Sequence, residues 1–408
     1  MIPKLDEYKK RFDIGSDASI KPGLEAIHAA LDKLGNPEKN LKVIHVSGTN
    51  GKGSTIHVME AILQAHGHTT GTFTSPAVHD LHDQIRINGE NTTPEIINGA
   101  FQEIKTAGLS EALTDFELVT VAAFLVFKKQ NPNYVLIETG MGGLLDSTNV
   151  VIPMVSVITS IALDHTNFLG ETIEKIARHK AGIIKENKPV VAGQLPTEAL
   201  NIVKQVAQNQ NAPLNIYGAN FFIEKNGEET FKGMDTFRFK GRKMKGPHQQ
   251  INTAVAIEAL LSAGIPLKEK QVEEALQSTQ LPHRFEEILP NVFLDGAHNP
   301  AAAKALRETI ELEFPGEKVA FIMGMLKRKD LRGTIQALEP VASSFTFLTF
   351  NHPEAASGEE LMKNCQHPFK KVEKIQDGSI ILSVDEAEMK VIAGSLYLLM
   401  DIEIDLKS

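Results

Sequence analysis

A chain of 408 residues exceeds what one hydrophobic core holds, since single cores rarely grow past about 250–300 residues, so two domains are expected. Hydrophobic residues at 42% and charged residues at 23% exclude a disordered or low-complexity chain. The net charge of −9 leaves no basic footprint for nucleic acid, the single Cys365 excludes an internal disulfide framework, and no signal-like or spanning apolar run points to a membrane. A monomer in a reducing cytoplasm, acting on small molecules, is the expectation.

The 47 residues before Gly48 are too few for a further domain; a helical run through Ile27, Leu31 and Leu34 is their main feature. Val43, Ile44 and Val46 then read as a buried strand broken by Gly48, Gly51 and Gly53, and Ile56, Val58, Met59, Ile62 and Leu63 continue as a helix stopped at Gly67. Strand, glycine-rich turn and helix make a phosphate cradle, with bare backbone N–H groups, a helix N-terminus and a lysine. Asn50, Gly51, Lys52, Gly53 and Ser54 are its candidate phosphate contacts, with Lys52 on the outer phosphates and the Ser54 hydroxyl on Mg²⁺. The match to GxxxxGK[ST] departs at Val46, where the first glycine belongs, and at Gly53, which separates lysine from hydroxyl.

A second strand over 70–74 ends at Ser75-Pro76, because proline cannot extend a ladder, and His79, Asp80, His82 and Asp83 follow as a solvated loop rather than a metal site. A helix over 116–129 opens with Phe116-Glu117, where a glutamate is ordinary compensation of the helix dipole. The third strand, Tyr134-Val135-Leu136-Ile137, delivers Glu138 to its C-terminal end ahead of Thr139-Gly140-Met141-Gly142-Gly143, which makes it a candidate metal ligand. A fourth strand over 155–158 runs towards Leu163-Asp164-His165, and His165 is a second candidate ligand. In the helix over 171–185, Lys180 lies in apolar register, where a lysine either snorkels to water or becomes a reactive amine.

A further strand at Pro189-Val190-Val191 and a helix over 197–208 come next, and alternating aromatic and polar residues over 220–240 predict a hairpin at Asn226-Gly227. Gly246-Pro247-His248-Gln249-Gln250-Ile251-Asn252 leads into a helix through Leu261. Leu281-Pro282-His283-Arg284-Phe285-Glu286 interrupts the pattern, giving residues 1–280 as a phosphate-binding P-loop domain, 281–287 as linker and 288–408 as a second domain. In that domain Val292-Phe293-Leu294 ends at Asp295-Gly296-Ala297-His298-Asn299-Pro300, and strands over 319–323 and 345–349 follow. The fold class is α/β: a mostly parallel P-loop sheet flanked by helices, a small antiparallel sheet, and a smaller C-terminal Rossmann-like α/β domain.

The string Gly48-Thr49-Asn50-Gly51-Lys52-Gly53-Ser54 resembles at every position the variant loop of the folylpolyglutamate synthase/dihydrofolate synthase family, muramyl-ligase-like ATP-dependent amide ligases. The likeness continues through Leu145-Asp146-Ser147-Thr148-Asn149, Arg284, Asp295-Gly296-Ala297-His298-Asn299 and Gly394-Ser395-Leu396-Tyr397, essentially the whole chain. It implies two Mg²⁺ ions held by Ser54, Ser75, Glu138 and His165, catalytic roles for Lys52, His165 and Lys180, and a carbamylated Lys180, fifteen residues after His165. It also implies ATP contacts from Asn252, Arg284, Asp295 and His298, and a folate pocket bordered by Phe116, Glu117, Leu145, Asp146 and Ser147. Ala77, Asp83, Gln84 and Leu144 depart from the family pattern.

The implied reaction adds L-glutamate to a folate, or to dihydropteroate, through an acyl phosphate formed with ATP. A muramyl ligase shares the chemistry but needs a nucleotide-sugar domain ahead of its P-loop, which 47 residues do not hold. A non-catalytic nucleotide switch or folate-binding protein is separated from a ligase by ATP turnover that requires both folate and glutamate.

Overall fold

The computed structural model describes residues 2–19, 21–77, 79–375, 379–383, 388–400 and 403–407. The chain forms two compact units, Met1–Arg242 with Ile251–Thr279, and Lys243–Gln250 with Gln280–Ser408. The short segment Lys243–Gln250 therefore groups with the C-terminal unit although it precedes the bulk of it in sequence.

The first unit is built on eight strands: β1 (Val43–Ser47), β2 (Thr70–Phe73), β3 (Ile85–Ile87), β4 (Glu90–Asn91), β5 (Tyr134–Glu138), β6 (Val155–Ile158), β7 (Val190–Ala192) and β8 (Leu214–Ile216). Their spatial order is β4-β3-β2-β5-β1-β6-β7-β8. From β2 to β8 every pairing is parallel, and β3 and β4 add an antiparallel edge. All five residues of β1 are buried, as expected for a central parallel strand covered on both faces. Within the helix Asp115–Gln130 every residue from Glu117 to Phe127 is buried, so the broad apolar surface read from its sequence is in fact apolar all round. Each such leucine or phenylalanine contributes about 1.5–3 kcal/mol through its removal from water.

Three sequence expectations are refined by the coordinates. The leader holds two helices, Leu5–Phe12 and Glu25–Lys33, and Leu5, Tyr8, Ile27, Ala30 and Leu31 enter the same core as the helix Asp115–Gln130. After Ser75-Pro76, a cis peptide, Asp80 and Asp83 form a capping box around the short helix Leu81–Gln84, which runs directly into β3. The helix carrying Lys180 spans Ile173–Ala181, shorter at both ends than its apolar pattern, because Thr172 caps its start and Gly182 follows its last turn.

The hairpin expected at Asn226-Gly227 is present within a three-stranded antiparallel sheet of β9 (Phe222–Asn226), β10 (Glu228–Lys232) and β11 (Thr236–Phe239). Gly227, with φ 88°, supplies the left-handed turn. The second unit contains β12 (Glu286–Leu289), β13 (Val292–Asp295), β14 (Val319–Met323), β15 (Ala342–Thr349), β16 (Lys370–Lys374), β17 (Ser379–Ser383), β18 (Met389–Ala393) and β19 (Glu403–Lys407). Six of these form a sheet in the order β12-β13-β18-β14-β15-β16, parallel except for β12, and β17 pairs with β19. Phe321, Phe345 and Phe347 anchor its core. No helix among the described residues is long and apolar enough to cross a membrane.

Candidate active site

Four neighbouring parallel strands, β2, β5, β1 and β6, end at the same edge of the first sheet. Each delivers one of the groups singled out in the sequence: Ser75 after β2, Glu138 at the end of β5, the glycine-rich turn after β1, and Asp164-His165 beyond β6. The C-terminal edge of a parallel sheet is where open α/β folds bind ligands, because the turns there lead into helix N-termini.

The turn after β1 is tied to the segment following β6. Thr49 N–H donates to the Ser160 carbonyl at 2.8 Å, Asn50 N–H to Ser160 Oγ at 2.9 Å, and Thr159 Oγ1 to the Asn50 carbonyl at 2.7 Å. The helix Lys52–Ala65 then starts from Gly51, whose φ of 84° is left-handed. A β-carbon at Gly51 would also collide with the side-chain oxygen of Asn252, so this asparagine packs against the turn. Ser54, in the first turn of its helix, is buried.

Two lysines converge on one carbonyl. Lys52 Nζ donates to Gly48 O at 3.1 Å, and Lys180 Nζ donates to the same oxygen at 2.8 Å. Glu138 Oε1 is 3.6 Å from Lys52 Nζ, and both side chains are largely buried. Burial, reinforced by the Lys52 ammonium, pushes the Lys180 pKa down from 10.5 to about 7, against the opposing pull of Asp164, Asp146 and Glu138. Of the two readings of its sequence register, the side chain is buried rather than snorkelled to water.

His165 has left-handed backbone, φ 51°, and its side chain is 37% exposed with Nε2 3.9 Å from Asp164 Oδ1. The Ser54 hydroxyl and the Glu138 carboxylate are oxygen donors that suit a hard divalent cation, which takes few protein ligands and fills the rest of its shell with phosphate oxygens and water. Among the described residues no three His, Cys, Asp or Glu side chains cluster as a closed metal cage.

The residues matched to a folate pocket differ in their commitments. Phe116 stacks on Phe73, ring centroids 5.9 Å apart, and lies against Gly140, where a β-carbon would clash with its ring. Glu117 completes a capping box: its Oε2 accepts from Thr114 N–H and Thr114 Oγ1, both at 2.8 Å, which is the helix-start role. Asp146 turns inward, accepting from Met141 N–H at 2.8 Å, Thr148 N–H at 3.1 Å and Thr148 Oγ1 at 2.5 Å. Ser147 is buried in the first position of a 3₁₀ turn, whereas Leu145 and Leu144 are both exposed.

In the second unit, Asp295 at the end of β13 is buried and accepts from Phe285 N–H and Ala297 N–H, each at 2.9 Å. Burial raises its pKa to about 6, with Arg284 opposing. The Arg284 guanidinium lies against Gly296, His298 Nδ1 donates to Gly296 O at 2.8 Å, and Asn299 caps the helix Pro300–Glu313. Arg284 thus precedes β12, whereas Asp295 and His298 lie at the end of β13 and in the turn after it, all within the second unit.

Sequence periodicity missed the stitch from Thr159 and Ser160 to the turn after β1. The polar pair placed straight after an apolar strand was its available signal. It also missed His45, Ser47 and Thr148, whose contacts connect β1 to the turn after Glu138.

The arrangement has known counterparts. A family model described as "Mur ligase middle domain" matches residues 46–260, and one described as "Mur ligase, glutamate ligase domain" matches residues 283–396. The dihydrofolate synthase/folylpolyglutamate synthase of Bacillus subtilis is 34% identical, with 95% of this chain and 96% of that protein covered. The chain belongs to the dihydrofolate synthase/folylpolyglutamate synthase family of Mur ligases. Within the family, a solved structure described as "E.coli FolC in complex with DHPP and ADP" superposes with TM-score 0.86 at 28% identity, covering 98% of this chain and 96% of that one. Another, the bifunctional folylpolyglutamate synthase/dihydrofolate synthase "with Mn, AMPPNP and L-Glutamate bound", gives TM-score 0.82 at 29% identity and covers 94% of each chain. The Mur ligase fold expected from the sequence is therefore the fold observed, including the small antiparallel sheet and the separate C-terminal α/β unit.

Proposed function

We propose that this chain is an ATP-dependent ligase that adds L-glutamate to a folate, and also to dihydropteroate, through an acyl phosphate. The observation that carries the reading is the convergence of Lys52 and Lys180 on Gly48 O, with Glu138 3.6 Å from the first lysine, at the edge where four parallel strands end. Family membership supplies the reaction class, and the names and bound ligands of the relatives support folate and glutamate as substrates.

In the proposed sequence the acceptor carboxylate attacks the γ-phosphorus of ATP, the P–O bond to ADP breaks, and an acyl phosphate results. The glutamate amine then attacks the acyl carbon, loses a proton, and inorganic phosphate leaves with one of the acceptor's oxygens as the amide forms. Lys52 and the backbone of residues 50–54 hold the phosphates and offset their charge. Ser54, Ser75, Glu138 and His165 are assigned as ligands of two Mg²⁺ ions, which when bound would supply Lewis-acid polarisation of the γ-phosphate. Lys180, whose lowered pKa leaves much of its amine neutral near pH 7, is assigned a carbamate that adds negative charge beside Gly48. Asn252, Arg284, Asp295 and His298 are assigned to ATP, and Phe116, Glu117, Leu145, Asp146 and Ser147 to the border of the folate pocket. A monomeric, cytoplasmic enzyme with no nucleic-acid or membrane partner completes the proposal, with residues 281–287 linking an ATP-binding domain over 1–280 to a second domain over 288–408.

Phosphate release from ATP is the test, measured with glutamate and either dihydropteroate or tetrahydrofolate. Release that requires glutamate and either acceptor supports the bifunctional reading, and release with tetrahydrofolate alone restricts it to chain extension. Release that ignores both acceptors refutes the ligase.

A further inference from the structure

His45 lies in the centre of the first sheet, on β1, and is fully buried. Its Nε2 is 2.9 Å from Thr148 Oγ1, and Thr148 Oγ1 is 2.5 Å from Asp146 Oδ1. The direction of the chain follows from its end. Asp146 accepts from two backbone N–H groups, Met141 on Oδ2 and Thr148 on Oδ1, so the carboxylate is the acceptor and the Thr148 hydroxyl donates to it. The hydroxyl oxygen then accepts from His45 Nε2–H. His45 is held as the neutral Nε2–H tautomer, and its buried Nδ1 has no partner.

Ser47, two residues further along β1 and so on the same face, donates Oγ to Gly142 O at 2.6 Å. The two side chains grip opposite ends of one turn, residues 139–149, which leaves β5 directly after Glu138. The ladder itself continues into this turn: Val46 pairs with Glu138, and Thr139 N–H donates to Val46 O at 2.9 Å. One residue past Ser47 the glycine-rich turn begins. A core histidine with one nitrogen unpaired adds nothing that a valine would not add to a central strand, so its Nε2–H donor is what the position uses.

We propose that His45, with Thr148 and Asp146, and Ser47 form a buried positioning clamp that fixes the 139–149 turn to β1 and so sets the Glu138 carboxylate relative to the phosphate-binding turn. His45, Thr148 and Ser47 are assigned to neither substrate nor metal and act through the position of Glu138. The inference rests on the assignment of Glu138 as a metal ligand.

The test is the affinity for Mn²⁺, followed by electron paramagnetic resonance with a non-hydrolysable ATP analogue present, on variants shown to be folded by circular dichroism and thermal unfolding. Outer-shell partners of metal ligands change affinity by about 10–100-fold, so Thr148→Val and His45→Leu should weaken Mn²⁺ binding by about tenfold or more. Thr148→Ser and His45→Gln, which keep a hydroxyl and a donor near the Nε2 position, should stay within about threefold of wild type by the same reasoning. Ser47→Ala, a small truncation, carries the test should the larger changes prevent folding, and it too should weaken Mn²⁺. Glu138→Gln separates the two levels of inference. If it binds Mn²⁺ as wild type does, the ligand assignment fails and the clamp with it. If it loses Mn²⁺ while Thr148→Val, His45→Leu and Ser47→Ala bind normally, the clamp alone is wrong. Equal losses in the conservative and disruptive variants also overturn it, because the effect would then be packing.

Discussion

Replacing Lys180 by methionine tests the buried amine at the centre of the site. Its pKa falls from 10.5 in the unfolded chain to about 7 in the fold, chiefly by burial and then by the neighbouring Lys52. At about 1.4 kcal/mol per pH unit of separation, the ammonium form costs the folded state about 5 kcal/mol at pH values well below 7. Between pH 7 and 10.5 the folded protein has released this proton while the unfolded chain still holds it. The unfolded state then binds more protons, so stability rises with pH and the cost fades. Methionine carries no such cost, so the stability difference between Lys180→Met and wild type should move against the variant by about 2 kcal/mol from pH 7 to pH 9. Urea unfolding of both proteins at the two pH values, in buffers freed of carbon dioxide to prevent carbamate formation, reads the change directly, since every other titrating group is common to the pair. A difference that is the same at pH 7 and pH 9 would show an amine of ordinary basicity, and would remove the physical basis for carbamylation.

Three further outcomes follow from the same geometry. Lys52→Ala should lower kcat for ligation by about a hundredfold or more, since one fixed donor is lost where phosphate charge accumulates, and steady-state phosphate release measures it. Gly51→Ala should destabilise the protein by about 1–2 kcal/mol and raise KM for ATP, because the left-handed φ and the contact with Asn252 leave no room for a β-carbon; thermal unfolding and ATP titration report the two effects. Arg242→Met should cost about 3–5 kcal/mol in urea unfolding, because Arg242 Nε and Nη2 donate to the two oxygens of Glu229 at 2.7 and 2.9 Å and the buried carboxylate would be left unpaired. A loss within the range of ordinary surface pairs would contradict that reading.

The legible parts of the chain were those governed by local pattern. The β-branched run at 43–46, the glycines at 48, 51 and 53 and the apolar spacing to Leu63 place β1, its turn and the helix Lys52–Ala65 within a residue or two. The place of Glu138 at the end of β5 was legible because a buried strand leads straight into glycines. The parts that were not legible depend on partners distant in sequence. β3 and β4 are three and two residues long and form an edge, too short for a periodic signal. The helix Pro94–Thr106 was missed although Thr93-Pro94-Glu95 carries a helix-start signature, and Asp80 with Asp83 likewise announced the capping box. His45 in a strand reads as core, and only the 103-residue contact to Thr148 gives it a role. The grouping of Lys243–Gln250 with the second unit is a tertiary fact with no local trace.

Transfer of isotopic oxygen tests the chemistry most directly. With ¹⁸O in the acceptor carboxylate, ligation through an acyl phosphate places one ¹⁸O in each inorganic phosphate released, read by mass spectrometry or by the ³¹P isotope shift. Phosphate that contains no ¹⁸O while amide accumulates would show that the carboxylate never attacked phosphorus.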